Sequence, residues 1–174
     1  GYPCAVFKKF STYEEAQKFI DGNKDGVEDI NISNLKKNEM IAYVDGSFDG
    51  DTGYYSYGVI IFTEDGPYEI SDREKDENMN GMRNVAGEIR GAMIAMEKAL
   101  EEGKDTLYLY YDYMGIEKWA TGEWKANKYG TKMYKAYYDS IKDKLRVIFK
   151  KVLAHSGNEY NEEADRLAKE ALHK

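Results

Sequence analysis

Asp45 is an acidic residue at the end of an apolar, strand-like run, where a carboxylate is costly to bury unless something binds it. The run covers residues 40–44, and Gly46 and Ser47 are predicted to turn the chain directly after Asp45. Three further acids hold comparable positions. Glu88 opens a predicted helix, Asp112 closes a predicted strand, and Asp165 lies in the predicted C-terminal helix. The pattern predicts a cluster of carboxylates at one edge of a sheet.

Carboxylates grouped in this way suit divalent cations. Hard cations such as Mg²⁺ prefer oxygen ligands, and they need few protein groups when substrate phosphate and water complete the shell. Two such cations about 3.5–4 Å apart can promote phosphodiester hydrolysis by activating the attacking water and stabilising the leaving oxygen. Each acid alone also has an ordinary interpretation, since Glu88 could be a solvated helix residue and Asp165 could pair with Lys169. The hypothesis depends on the four acids together.

The elements that must position these acids alternate along the chain. Apolar and alternating runs predict five strands, at residues 40–45, 55–63, 67–73, 106–111 and 146–154. Apolar residues at helical spacing predict helices at residues 86–100, around Ile116 and Trp119, at residues 131–144 and at residues 161–172. Three hairpin-connected strands followed by alternating units imply an α/β fold with a five-stranded mixed sheet, antiparallel and then parallel, with helices on both faces.

The chain divides into a short N-terminal part and a main domain. Residues 1–22 combine a short apolar stretch with a small helix, residues 23–38 form a polar linker rich in Gly and Asn, and residues 39–174 form the main domain. About 20 residues cannot bury a core alone. The first segment is therefore expected to be either a remnant or a segment packed on the main domain.

Composition narrows the class of protein. The 174 residues are 42% hydrophobic and 33% charged, which is typical of a soluble globular protein. We expect neither a membrane span nor a secretory signal, and the lone Cys4 favours a reducing compartment, hence the cytoplasm. The net charge of −7 argues against general charge-driven nucleic-acid binding but permits a local basic surface. With no heptad or large apolar face, a monomer is expected.

Five short motifs in a fixed order resemble those of ribonuclease H type 1. They are Tyr-Val-Asp-Gly-Ser at residues 43–47, Asn-Val-Ala-Gly-Glu at 84–88, Tyr-Asp at 111–112, Ala-His-Ser-Gly at 154–157 and Asn-Glu-Glu-Ala-Asp at 161–165. The resemblance implies the RNase H-like fold and an endonuclease that hydrolyses the RNA strand of RNA–DNA hybrids, leaving 5′-phosphate and 3′-hydroxyl ends. It also implies two Mg²⁺ ions, or Mn²⁺ in their place, held by Asp45, Glu88, Asp112 and Asp165.

Two further residues acquire candidate roles from the resemblance. His155 occupies the position of the family's mobile-loop histidine, and an imidazole that titrates near neutrality can shuttle a proton or help product leave. Glu162 lies one helical turn before Asp165 and could hold a water at the metal site or ease product release. The ordinary interpretations are a surface histidine and a solvated acid in the first turn of a helix.

Recognition of RNA requires contact with its 2′-hydroxyl. The resemblance assigns this contact to Asn84, whose amide both donates and accepts hydrogen bonds, and to the backbone of Gly46 and Ser47. The alternative for Asn84 is a helix-terminal residue that satisfies backbone groups. Met114 and Asp51 depart from the family's pattern, because a Gln and a neutral residue are common at these two positions.

A second surface interleaves aromatic and basic residues: Trp119 and Trp124 with Lys118, Lys125, Lys128 and Lys132. Such a surface suits a DNA strand, because Lys neutralises phosphates and rings pack on sugars. The alternative for Trp119 is burial in the core of an amphipathic helix.

Residues 7–16 resemble the latter half of the hybrid-binding (viroplasmin-like) domain that is often attached to these enzymes. Two other functions stay open for the main domain. One is a nucleic-acid-binding module that keeps the fold with weak or no catalysis, and the other is a nuclease or strand-transfer enzyme that acts on DNA.

Overall fold

The computed structural model describes residues 34–79, 81–152 and 159–173. Its strands are β1 (Glu39–Phe48), β2 (Tyr55–Thr63), β3 (Gly66–Glu74), β4 (Thr106–Tyr111) and β5 (Arg146–Lys151). Its α-helices are α1 (Asn84–Glu101), α2 (Gly115–Thr121), α3 (Tyr129–Ile141) and α4 (Glu159–Ala171), and a short 3₁₀ helix covers Glu77–Met79. The small helix predicted within residues 1–22 lies outside the described residues.

The five strands form one mixed sheet in the order β3-β2-β1-β4-β5. β1 pairs antiparallel with β2, and β2 pairs antiparallel with β3, whereas β4 is parallel to both β1 and β5. Helix α1 packs on one face and α4 on the other, so the predicted fold class is confirmed. No helix within the described ranges is long and apolar enough to cross a membrane.

Asp45 lies inside β1, so the prediction that the strand ends there was wrong. Gly46 and Ser47 do not turn the chain, because they pair with β2 and the strand continues to Phe48. The parallel pairing of β1 with β4 nevertheless stops at Tyr43. Asp45 therefore lies beyond the last residue that pairs with β4, and it still stands at the carboxyl edge of the parallel part of the sheet.

Alternation along β1 sends its side chains to two separate cores. Val44 belongs to the larger core under α1, while Tyr43 packs with Tyr160 and Leu167 of α4 on the opposite face. Successive residues of a strand point to opposite faces. Asp45 therefore projects toward the α4 side.

Both helices approach the strands closely because glycines lie at the contacts. A Cβ on Gly46 would lie 2.3 Å from the backbone nitrogen of Glu88, and one on Gly87 would lie 1.9 Å from the carbonyl oxygen of Ser56. On the other face, a Cβ on Gly58 would lie 2.3 Å from the carbonyl oxygen of Ala164. The backbone of α1 thus rests on β1 and β2, and α4 rests on β2.

Several predicted boundaries differ from the observed ones. The helix predicted at residues 131–144 ends at Ile141, because the chain turns so that Leu145 enters the core ahead of β5. The strand predicted to reach residue 154 ends at Lys151. Residues 153–158 lie outside the described residues. β4 has the predicted bounds.

Replacement of Gly87 by Ala is expected to destabilise the protein by about 2 kcal/mol or more, because the added methyl overlaps the Ser56 carbonyl and forces α1 off the sheet. Gly91, one turn later on the same helix, is the matched control: its Cβ would lie 3.4 Å from the Cβ atoms of Val44 and Tyr57, which is ordinary contact. Gly91→Ala should change the free energy of unfolding by about 1 kcal/mol or less. Urea titrations measure both, and equal destabilisation would contradict the close-packing argument.

Candidate active site

Three carboxylates meet at the carboxyl edge of the sheet. Asp45 in β1, Glu88 in α1 and Asp112 directly after β4 each offer a carboxylate oxygen, and these oxygens all lie within 4.8 Å of one another. Asp45 is 8% exposed and Glu88 only 2%. The structure therefore brings together three of the four acids whose convergence the sequence predicts.

Backbone amides hold the two most buried acids in place. The N–H groups of Asp112 and Tyr113 donate to Oε2 of Glu88 at 3.3 and 3.1 Å. The N–H of Gly46 donates to Oδ1 of Asp45 at 2.9 Å. Glu88 is thus tied to the segment after β4, which fixes its carboxylate between the other two acids.

The site favours the neutral forms of Asp45 and Glu88 unless a cation is bound. Burial, and then the charge of Asp112, raises the pKa of Asp45 to about 8. Burial, followed by the charges of Asp112 and Asp45, raises the pKa of Glu88 well above its usual range. A divalent cation would offset both causes, and three carboxylates form the oxygen donor set that hard cations prefer. The residues present therefore fit a divalent metal.

Asp165 lies beside this group on α4. Its charge and a side-chain hydrogen bond to Asp45 contribute to the raised pKa of Asp45. Its Oδ2 also lies 2.9 Å from Nζ of Lys169. The two interpretations of Asp165 offered by the sequence are therefore compatible, because the residue forms the helical ion pair and also contacts the acid group. It is not one of the three mutually close acids.

Of the other two candidate catalytic residues, the structure describes only Glu162. Glu162 is exposed in the first turn of α4, one turn before Asp165. His155 lies outside the described residues.

The candidate RNA contacts line the rim of the acid group. Asn84 is exposed and is the first residue of α1, and Gly46 is buried beneath its carbonyl oxygen. Ser47 is half-buried beside it in β1. Asp51 and Met114, the two departures from the family's pattern, are both exposed.

Aromatic rings form a patch next to Asp112. The ring centroids of Trp119 and Trp124 are 5.8 Å apart, and Tyr113 lies 5.7 Å from Trp119 and 6.2 Å from Trp124. Trp119 packs partly on the core, so its alternative interpretation is partly correct, while Trp124 is 38% exposed. Sequence reasoning missed Tyr113, and its position directly after Asp112 is the signal that could have found it.

A groove of about 290 Å³ runs beside this aromatic patch. Its walls include Tyr113, Trp119, Lys125, Lys128 and Val85. Lys125 and Lys128 are exposed. Lys118 differs from them, because its Nζ lies 3.0 Å from a carboxylate oxygen of Glu123. The groove is thus lined by aromatic and basic side chains, and Tyr113 in its wall directly follows Asp112.

Comparison with solved structures defines the class of fold. RNase H1 of the archaeon Halobacterium salinarum superposes with a TM-score of 0.63 at 26% identity, covering 78% of this chain and 98% of that chain. LC11-RNase H1 from compost, solved in complex with an RNA/DNA hybrid, gives a TM-score of 0.61 at 24% identity over 77% of this chain and 96% of that one, a likeness of fold alone. The molecule therefore has the RNase H fold.

Sequence comparisons assign the family. The RNase H family model matches residues 37–173, and the model of the ribonuclease H1 N-terminal domain matches residues 1–20. Ribonuclease H of Francisella philomiragia is 34% identical over 147 residues, which are 79% of this chain and 93% of the relative. Ribonuclease H of Francisella tularensis is 33% identical over the same shares. The chain belongs to the ribonuclease H family, in its type 1 branch.

The raised pKa of Asp45 predicts how the metal-free protein responds to pH. The folded chain retains a proton that the unfolded chain releases near pH 3.8, so this contribution to stability is complete below that pH and is lost as the pH rises through about 8. In EDTA, the free energy of unfolding should fall from about pH 6 to about pH 8, by up to about 1.4 kcal/mol per pH unit for one proton. Asp45→Asn should reduce this slope by the share of Asp45 and leave that of Glu88, whose pKa is also raised, as followed by urea titrations.

Asp49→Asn is the matched control for the pH experiment. Asp49 lies partly exposed in the same hairpin, and its pKa is lowered by hydrogen bonds from Asp51 and Thr52, so it stays ionised throughout this range. A wild-type slope retained in Asp45→Asn would show that burial of this carboxyl does not cause the pH dependence.

Proposed function

We propose that the chain is an endonuclease that hydrolyses the RNA strand of RNA–DNA hybrids with two divalent cations, leaving 5′-phosphate and 3′-hydroxyl ends. The observation that carries this proposal is the buried acid group of Asp45, Glu88 and Asp112 in a member of the ribonuclease H family. The hybrid bound to LC11-RNase H1 supports the choice of substrate.

The four acids would hold the cations, with Mg²⁺ proposed and Mn²⁺ as a substitute. When bound, two such ions supply Lewis-acid stabilisation of charge on the phosphodiester and a water of lowered pKa. The protein's part is to hold its carboxylates in place. Glu88 is fixed by two amides, and Asp165 is kept beside Asp45 by α4.

His155 and Glu162 would assist the reaction. An imidazole titrates near neutral pH, so His155 could accept or deliver the proton that hydrolysis moves. Glu162 lies one turn from Asp165 and could orient a water or help the 5′-phosphate product leave.

The two strands of the hybrid would bind on different parts of the surface. Asn84 and the backbone of Gly46 and Ser47 lie on the rim of the acid group, where they could contact the 2′-hydroxyl of RNA. Four residues would hold the DNA strand through stacking and phosphate contacts: Trp119, Trp124, Lys125 and Lys128.

The N-terminal segment is proposed to be part of a hybrid-binding domain joined by a linker at residues 23–38 to the catalytic domain at residues 39–174. The match of residues 1–20 to the ribonuclease H1 N-terminal domain supports this division.

Cleavage of labelled RNA–DNA hybrid, duplex DNA and duplex RNA, each with Mg²⁺ or EDTA, tests the proposal. Metal-dependent cutting of RNA in the hybrid alone is expected. Asp112→Asn should abolish cutting and largely preserve hybrid binding, because it removes one charge without changing the shape of the site. Asp139→Asn is the control at an exposed aspartate of α3, and its activity should be unchanged.

His155→Ala should slow turnover by about 100-fold or less, as expected when a proton-transfer aid is lost. A His155 variant as inactive as Asp112→Asn would assign this residue a different role. Cutting of duplex DNA would favour the DNA-directed alternative. Hybrid binding without any cutting would favour an inactive binding module.

A separate prediction concerns the DNA-binding surface. A Trp124→Ala/Lys128→Gln double variant should raise the Kd for hybrid about tenfold or more, since one stacked ring contributes about 1–3 kcal/mol. Single-stranded RNA, which lacks the DNA strand, should show a smaller loss. Lys118→Gln is the control, because Lys118 is already paired with Glu123. An equal loss with both ligands would contradict the assignment of this surface to DNA.

A further inference from the structure

Two side chains of the sheet hold the C-terminal end of α4, the helix that carries Asp165. We propose that Ser56 of β2 and Arg73 of β3 are positioning residues, which fix α4 along its axis and thereby place Asp165 for a divalent cation. The inference rests on the proposed function, because it assumes that Asp165 is the fourth acid of the metal site.

The position of Asp165 is set by how α4 docks on the sheet. Glu88 accepts hydrogen bonds from the backbone directly after β4, and Asp45 accepts one from the N–H of Gly46. Asp165 instead meets the acid group through its contact with Asp45, and it is not one of the three mutually close acids. A shift of α4 along its axis would therefore move Asp165 relative to Asp45 without moving the other acids.

The apolar contacts of α4 do little to fix its axial position. Three of its buried side chains are alanines, and Ala164, Ala168 and Ala171 are each 1% exposed or less. Hydrophobic attraction is non-directional, and a methyl group interlocks little with its neighbours. Tyr160 anchors the first turn, where its ring centroid lies 4.9 Å from that of Phe62. The last turn therefore requires a directional contact of its own.

The hydroxyl of Ser56 supplies such a contact. Its Oγ donates to the carbonyl oxygen of Ala168 at 2.5 Å, and Ser56 is completely buried. A carbonyl oxygen has two lone pairs, so it can accept this bond without giving up a helical one. Because a hydrogen bond weakens steeply when its geometry is distorted, the bond opposes sliding of α4 on β2.

Arg73 holds the end of the same turn. Its Nη1 donates to the carbonyl oxygen of Leu172, the residue after α4, at 3.0 Å. A cation is favourable at the C-terminus of a helix, where the carbonyl groups carry partial negative charge. The guanidinium carbon of Arg73 also lies 4.3 Å from the ring centroid of Tyr54, and this contact restricts the long side chain. Arg73 therefore adds a charged donor to the hydroxyl of Ser56.

Sheet register brings the two donors together. Ser56 pairs with Arg73 across β2 and β3, and with Ser47 across β1 and β2. Residues directly opposite each other in antiparallel strands have their side chains on the same face, so both donors face α4. Asp45 pairs with Gly58 two residues further along. The strand pairing that presents Asp45 thus also fixes the donors that hold α4.

The spacing of the contacts explains how they fix Asp165. A Cβ on Gly58 would lie 2.3 Å from the carbonyl oxygen of Ala164, and Ser56 binds the carbonyl oxygen of Ala168. Two residues of a strand span about 6.8 Å, and four residues of a helix rise about 6 Å. Carbonyl groups one turn apart on α4 therefore meet successive same-face positions of β2. Asp165 lies within this turn, so its height above Asp45 is fixed.

Mn²⁺ binding to the protein without nucleic acid, measured by isothermal titration calorimetry, tests the proposal. Ser56→Ala removes only a hydroxyl and should raise the Kd for Mn²⁺ about fivefold, while circular dichroism shows a folded protein. Arg73→Met should also raise the Kd, although loss of a positive charge alone would strengthen cation binding. Ser140→Ala is the matched control, because Ser140 donates to the Tyr137 carbonyl at 2.6 Å on the exposed side of α3. This control should bind Mn²⁺ like wild type.

A double-mutant cycle with Asp165 separates positioning from a general loosening of the fold. If the hydroxyl acts through Asp165, Ser56→Ala should cause no further loss of Mn²⁺ affinity in an Asp165→Asn background, since coupled residues are not additive. An additive loss would overturn the inference, and so would an Asp165→Asn protein that binds Mn²⁺ like wild type. An unchanged Kd in Ser56→Ala or in Arg73→Met would overturn the role of that residue.

Measurement of Mn²⁺ binding without a hybrid keeps this inference separate from the proposed function. A protein that shows the expected coupling but cuts no hybrid would defeat the proposed function alone. A protein that cuts RNA in the hybrid but shows additive losses of Mn²⁺ affinity would defeat the inference alone.

Discussion

The direct contact between the backbones of Gly46 and Gly87 is the constraint on which the rest of the site depends. Each glycine adjoins an acid in sequence, Asp45 before Gly46 and Glu88 after Gly87. A Cβ at either glycine would overlap backbone atoms of the facing element. Because neither glycine has one, α1 rests directly on the strand, and the two acids are carried to within 4.8 Å of each other.

That closeness has an electrostatic cost that the remaining fold must offset. Burial and like charge raise the pKa values of Asp45 and Glu88, so the folded chain without a cation is less stable near neutral pH than its packing alone would allow. Two apolar cores, one on each face of the sheet, supply the compensating stability. The same repulsion favours any ligand that brings positive charge to this edge, so instability without metal and affinity for metal have one cause.

The local sequence pattern predicted most helices and strands. It failed where pairing between distant segments determines how far a strand extends. The alternating Leu and Tyr residues of β4 gave both of its bounds. Gly46 and Ser47 resemble a turn in sequence, but pairing with β2 extends β1 past them. The motifs predicted the acid group, whereas the register that brings Arg73 near Tyr54 has no sequence signal.

The distribution of charge also explains how a chain with a net charge of −7 can suit a polyanion. Net charge governs long-range behaviour, whereas contacts depend on charge within a Debye length, about 8–10 Å at physiological salt. On the proposed function, the four negative charges of Asp45, Glu88, Asp112 and Asp165 are balanced by those of two divalent ions, so the acid group no longer repels a phosphate. Lys125 and Lys128 are exposed in the wall of the groove that also includes Tyr113. On the proposed function, a phosphate backbone therefore meets positive charge along its path, although the chain as a whole is acidic.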